Sequence, residues 1–486
     1  MTTHITGSEL PPETYSSTIK TRSANKSAIL AIIMLSYMMI VLDTSVVIAG
    51  LPKIRAELGF GDAGLSWVSN AYTLVFGGFL LLGARAGDIL GRRRLFIAGL
   101  VVFAISSLLI GIASSSAMLI GARAVQGFGA AVLAPSTLAL LQTNFAPGPE
   151  RTRAIAYYAS AAGISASIGL VLGGFLADWL SWRVGFFINV PIGIGLIVAS
   201  LRHIEETELH AGVFDLAGAV TSTLGMSALV FGIVNSAAVG WADSHTNVAV
   251  LSGIALLAMF VFIEWRAKQP IMPLRLFASR ERSGAYVVRM LFLGANVGFF
   301  FFSTQFMQGV LGYSPAQTGL AFLPAMIVNF LAALAAPRMM ARFGGRIVML
   351  SSMSMGFIGM VFLANVSAGT GYVTGLAIPM LLIGLGQGGT LGPLTSAGIA
   401  NVSAKDAGAA SGLVNAAHQL GSSLGLGIQI SVSVLGAGAL TNGALLTHRI
   451  GNAMTCAAVM VAMALLIAAT TIGRAKAGAS RERLSK

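Results

Sequence analysis

Asp43 is a charge in a place where charge is expensive. It stands in residues 28–50, AILAIIMLSYMMIVLDTSVVIAG, an otherwise uncharged run whose length as a helix, about 35 Å, is enough to cross the hydrocarbon core of a bilayer. A carboxylate at that depth costs about 2.5–3.5 kcal/mol on insertion scales, so it needs a counter-ion, a proton or a water-filled cavity. Two roles satisfy that requirement. One is a carboxyl that exchanges a proton as it is reached from each side of the membrane in turn; the other is a polar knot tying two helices. Arg123 is a second charge inside an apolar run. Asn415, His418 and Gln419 stand at i, i+3 and i+4, and Gln305 and Gln308 stand three apart beside Phe299–Phe302. Either set can line a substrate cavity or hydrogen-bond between helices. His418 titrates near neutral pH when unperturbed. Arg289 falls close to the end of its run, where a long basic side chain snorkels to the interface.

The elements that hold these residues are membrane spans. The chain has 486 residues, 56% hydrophobic and only 10% charged, with mean hydropathy +0.83, whereas soluble domains carry about a quarter charged residues. An integral, all-α membrane protein is the class this composition allows. The net charge of +13 does not point to nucleic acid, because the bases sit in short connections between apolar runs, where they set topology and meet anionic lipid. The single Cys456 excludes an intrachain disulfide. No Gly-x-x-x-x-Gly-Lys-Ser/Thr phosphate loop and no clustered His, Cys and carboxylates occur, so no ATP drive, cofactor, metal site or enzymatic constellation is expected.

Fourteen apolar runs can be marked between residues 28 and 472. The least distinct boundary is that between the third and fourth, where only Ser114, Ser115 and Ser116 intervene. An even count puts both termini on one side. The other side holds Lys53, Arg55, Arg183 and Arg449, Arg123 and Arg289 fall within spans, and every other base of the 30 lies with the termini. That bias makes the termini cytoplasmic. Trp67, Trp179, Trp182 and Trp241 at outer span ends and Trp265 at an inner one read as an aromatic belt. On this orientation Asp43 and Arg123 lie at similar depths, about 10 and 9 Å from the outer ends of their spans by helix rise, which allows a direct or water-mediated interaction. The segment GARAGDILGRRR (83–94) is echoed by APRMMARFGGRI (336–347), with Gly91 on Gly344, Arg85 on Arg338 and Arg93 on Arg346. The echo predicts a cytoplasmic tail 1–27, a six-helix bundle 28–201, two inserted helices 214–265, a second six-helix bundle 284–472 and a tail 473–486, a plan of parallel halves used by some transporters.

The 83–94 stretch resembles the cytoplasmic signature of the major facilitator superfamily. LDTSVVIAGLP (42–52), RAVQGFGAAVLAP (123–135), GLVLGG (169–174), WRVGFFINVPIG (182–193) and QGVLGYSPAQTGLAFLP (308–324) resemble its fourteen-spanner drug:proton antiporter branch. Leu170 and Val184 depart from the branch, standing where its signatures carry proline and tryptophan. The resemblance implies the superfamily's two-bundle fold, with span 1 beside span 4. It implies proton coupling at Asp43 and Arg123, and a conformational latch of Gly83, Arg85, Asp88, Gly91, Arg92 and Arg93. Gly169, Gly173 and Gly174 become the close-packing positions of the antiporter motif, and Gln126 joins the candidate substrate contacts. The expected activity is proton-coupled export of lipophilic, monocationic drugs or toxic small molecules by alternating access, from a monomer in the cell (inner) membrane. A dedicated exporter or symporter of one metabolite on the same fold is the alternative.

Overall fold

The computed structural model describes residues 26–473 apart from 62–63, 146–148, 207–213, 268–269, 368, 403–405 and 437–441. The tails 1–25 and 474–486 and Lys405 lie outside the described residues, as do some side chains within helices, that of Asp88 among them. The apolar runs become helices α1 (Lys26–Leu58), α2 (Trp67–Leu90), α3 (Arg92–Gly111), α4 (Ser116–Asn144) and α5 (Pro149–Phe175). A short α6 (Val184–Phe187) runs into α7 (Asn189–His203) to make one span. Then come α8 (Leu216–Val239), α9 (Ser244–Arg266), α10 (Arg280–Gly309), α11 (Pro315–Phe343), α12 (Gly345–Ala364), α13 (Ile378–Gly398), α14 (Ala407–Ser433) and α15 (Asn442–Thr471). Among the described residues twelve spans are long and apolar enough to cross a membrane, and α5 and α14, 27 residues each, complete the fourteen. No strand occurs among the described residues.

Local chemistry sets the ends. Ser115 caps α4 by accepting a 3.2 Å bond from Met118 N, so the serine run does separate two spans. Ser314 and Gln317 form a reciprocal capping box at the start of α11, with Pro315 in its first turn. The two echoed loops are one device used twice. Gly91 (φ +101°) joins α2 to α3 and Gly344 (φ +84°) joins α11 to α12, a backbone that a side-chain-bearing residue rarely adopts.

Helix α4 packs on α2 and α3, α1 on α5, and α3 on α7; in the second set α10 packs on α14 and α15, α13 on α11 and α12, and α12 on α15. The sets meet along two seams, α5 against α11 and α2 against α14. Helix α8 lies against α9 on one side and bridges α2 and α14 on the other. Gly78 of α2 faces Thr223 of α8, Gly427 of α14 faces Val230 and Val234, and Ser236 and Ser431 share a 2.8 Å hydrogen bond. Large apolar side chains such as Leu251, Ile254 and Leu466 stand exposed on outer faces, which suits a lipid-facing surface. Trp179, Trp241 and Trp265 are exposed as a belt requires, but Trp182 is 3% exposed. Its indole donates to Glu57 Oε2 at 2.5 Å, and Glu57 also pairs with Arg183 at 2.7 Å. Trp182 is therefore part of an internal clamp between α1 and α6, not of the belt.

Candidate functional site

Asp43 and Arg123 meet directly, near the middle of α1 and in the second turn of α4. Arg123 Nη1 donates to Asp43 Oδ2 at 2.6 Å, with both side chains at most 1% exposed. The second oxygen is equally occupied: Asp43 Oδ1 accepts from Gln126 Nε2 at 2.8 Å and from Asn189 Nδ2 at 2.9 Å. Ser107 Oγ accepts from the same two amides at 2.9 and 3.3 Å. Arg123 is held further by the carbonyl of Val68 at 2.9 Å, by Gln126 Oε1 at 2.5 Å and by the Tyr72 ring, whose centroid lies 4.3 Å from the guanidinium carbon, a cation–π contact. Four spans (α1, α3, α4 and α7) place one charge pair and its donors in a dry core. Every bond to Asp43 comes from a donor, the surroundings an ionised carboxylate requires. In this conformation the acid is sealed from both surfaces and offers no free face to a cation.

Gln126 thus belongs to the carboxylate cluster, fully buried, instead of lining an open path. Ser107 and Asn189 were missed as participants. Asn189 lies within WRVGFFINVPIG, and a lone amide in that apolar setting was the available signal.

The superfamily profile described as Major Facilitator Superfamily matches residues 33–426. The chain belongs to the major facilitator superfamily. It is 38% identical over 455 residues to a cephamycin export protein of Amycolatopsis lactamdurans, covering 92% of this chain and 93% of the relative. It is 36% identical over 408 residues to a puromycin resistance protein of Streptomyces alboniger, covering 83% and 81%. Among solved structures it is similar to a peptide transporter in complex with sulfate, at a TM-score of 0.66 and 13% identity over 91% of this chain and 94% of that one. It is also similar to a bacterial homologue of the lysosomal transporter Spinster, at 0.63 and 15% over 92% and 97%. These two likenesses carry the fold alone.

The superfamily's signature loop is anchored by an acid the sequence reading missed. Glu206, just beyond α7, accepts from Arg93 N at 3.0 Å and Arg94 N at 3.1 Å, placing a carboxylate on the N-terminus of α3 where the helix dipole favours it. A Cβ on Gly91 would lie 2.7 Å from that carboxylate and displace it from the helix end, while the positive φ is what favours glycine there. Arg93 Nη2 donates to Leu201 O at 2.9 Å and Arg92 Nη1 to Ala139 O at 3.2 Å. These bonds tie the loop to its own six spans. Arg85 is half-buried, and Gly83 lies on the carbonyl of Ala131, bringing α2 and α4 into backbone contact. Asp88, expected to be the latch itself, has its side chain outside the described residues. In the 169–174 segment, a Cβ at Gly169 would lie 2.7 Å from Ser45 Cβ and one at Gly173 would lie 2.6 Å from Val46 Cα. These glycines press α5 onto the α1 turn that carries Asp43. Gly174 faces the other way, onto Pro315 of α11.

The remaining candidates divide. Gln308 Nε2 reaches across to Ala49 O of α1 at 3.1 Å, whereas Gln305 bonds Phe301 O of its own helix at 3.4 Å. Gln419 packs against Gly77 of α2, within the seam. Asn415 is exposed and His418 half-buried. Arg289 does not snorkel: it is 7% exposed and turned inward, donating through Nη1 to Thr395 Oγ1 of α13 at 2.9 Å.

Proposed function

We propose that this protein is a proton-coupled exporter of lipophilic small molecules, working by alternating access between the 28–201 and 284–472 bundles, with 214–265 as an insert. The basic helix ends and both termini face the cytoplasm, and the protein acts as a monomer in the cell (inner) membrane. The observation that carries the reading is the buried Asp43–Arg123 pair. A proton arriving on Asp43 Oδ2 removes the carboxylate charge and adds an O–H that competes with the Arg123 N–H facing it, weakening the charge-assisted bond between them. Arg123 keeps Val68 O and Gln126 Oε1, so the change falls on the α1–α4 contact, the element a coupled transporter needs to bias. The sealed geometry is the ionised, locked state, and exchange with water belongs to a conformation in which α1 and α4 part. Drug export is supported by relatives named for cephamycin export and puromycin resistance.

The test is uphill transport of radiolabelled puromycin and a cephamycin into inside-out vesicles acidified inside. Wild type concentrates at least one of the two and dissipates the gradient as it does so. Asp43→Asn is inserted at normal level, equilibrates the drug and does not concentrate it. An Asp43→Asn protein that still concentrates drug moves the coupling elsewhere.

A further inference from the structure

We infer that Arg289 is an anion-recognition site, and that the substrates this transporter prefers carry a carboxylate or a like planar anionic group. The inference rests on the exporter reading above and names the substrate class for it. The guanidinium lies nine residues into α10, about 13 Å along the helix from its start by rise, and it is 93% removed from solvent by the 7% exposure of the residue. Unlike Arg123, it makes no ion pair: no carboxylate stands within 4.0 Å of it among the described residues. Its one hydrogen bond uses Nη1, to Thr395. Nε is buried without a partner. That leaves the Nε–Nη2 edge, the side-on fork whose two parallel N–H groups match the two oxygens of a carboxylate.

The surroundings belong to three spans. Tyr37 of α1 and His418 of α14 are within electrostatic range of Arg289, and both are half-buried, as is Thr395; Asn415, less than a helical turn before His418, is exposed. Arg289 therefore lies where α1 of one bundle faces α10 and α14 of the other, among side chains that are only half-buried. A guanidinium without a counter-ion at membrane depth is costly, and none of these neighbours supplies a negative charge. A bound organic anion would. With one proton entering per anion leaving, the cycle moves two positive charges inward, so an inside-negative potential drives it; exchange of a proton for a monocation would be electroneutral.

The test uses three probes on one aromatic body: 1-pyrenebutyrate, its uncharged methyl ester, and the corresponding pyrenebutyl-trimethylammonium. Binding to the purified full-length protein in phosphatidylcholine nanodiscs is read by fluorescence titration. Wild type is expected to bind the acid at least tenfold more tightly than the ester or the ammonium. Arg289→Gln is expected to lose that preference while still binding the ester, and Thr395→Val, which frees Nη1 without touching the charge, to weaken acid binding by a smaller factor. A preference for the ammonium, no binding of any probe, or an undiminished acid preference in Arg289→Gln overturns the proposal. Should Arg289→Gln not fold, Arg289→Lys serves in its place: loss of the fork with retention of charge must reduce the acid preference. Competition by added anionic lipid at the level of the probe would assign the fork to a headgroup and also overturn it. Binding needs no proton gradient, so failure of proton coupling leaves this result readable, and its failure leaves the Asp43 experiment untouched.

Discussion

The two charged sites buried at membrane depth are opposites. In the first bundle the carboxylate of Asp43 meets the guanidinium of Arg123, every oxygen is occupied, and the cluster is closed. In the second, Arg289 brings a guanidinium to a seam with one hydroxyl for company and an unoccupied edge. A neutral, saturated network can store a conformational state but has nothing left with which to bind. An unsaturated one can bind but, with no carboxylate paired to it among the described residues, has no charge pair for a proton to open. On the function proposed above, the contrast separates coupling from recognition, one to each bundle.

The largest expected effect tests whether the first site is a pair at all. Arg123→Gln strands a buried carboxylate and should cost about 3–5 kcal/mol, seen as a fall in the thermal midpoint in detergent, whereas Arg289→Gln strands no acid and should leave the midpoint nearly unchanged. Equal losses would erase the difference between the sites. In the double variant Asp43→Asn/Arg123→Gln both charges go, and stability should recover by about 0.5–3 kcal/mol relative to the sum of the single losses, without return of gradient-driven transport. Next in size, Gly173→Ala and Gly425→Ala probe the same packing device in each bundle, since Gly173 rests on Val46 beside Asp43 and Gly425 on Gly294 of α10. Each should cost about 1–3 kcal/mol. The first should also disturb proton coupling and the second anion binding; crossed effects would break the division. Smallest, Glu206→Gln weakens the cap on α3 and should cost about 0.3–1 kcal/mol with both sites intact, so altered coupling in that variant would widen the proton site to include the loop.

Much of this was legible in the chain. Fourteen apolar runs gave fourteen spans because hydrocarbon leaves the backbone no other partner than its own helix. The repeated Gly91 and Gly344 turns showed because φ above zero selects glycine. Asp43 and Arg123 announced themselves because a charge in grease has few explanations. What did not show was pairing through uncharged groups. Ser107 and Asn189 are ordinary in composition and acquire meaning only when α3 and α7 bring them to the same oxygen. Arg289 misled for a related reason: its distance from the end of a run says how far it could reach out, while the packing of α13 and α14 decides that it turns in. Trp182 looked like a belt residue until Glu57 folded over it.

The wedge of α8 makes the two seams mechanically unequal. Where α2 meets α14, a third helix is stitched to both partners, through Thr223 on one side and through Val230, Val234 and Ser236 on the other; where α5 meets α11 the two helices pack on each other directly, with Gly174 on Pro315 and Gly319 on Leu170. Rotation of one bundle against the other must drag the α8–α9 hairpin along or shear it from one side. The proposed stroke would therefore carry the mass of that hairpin on one flank alone.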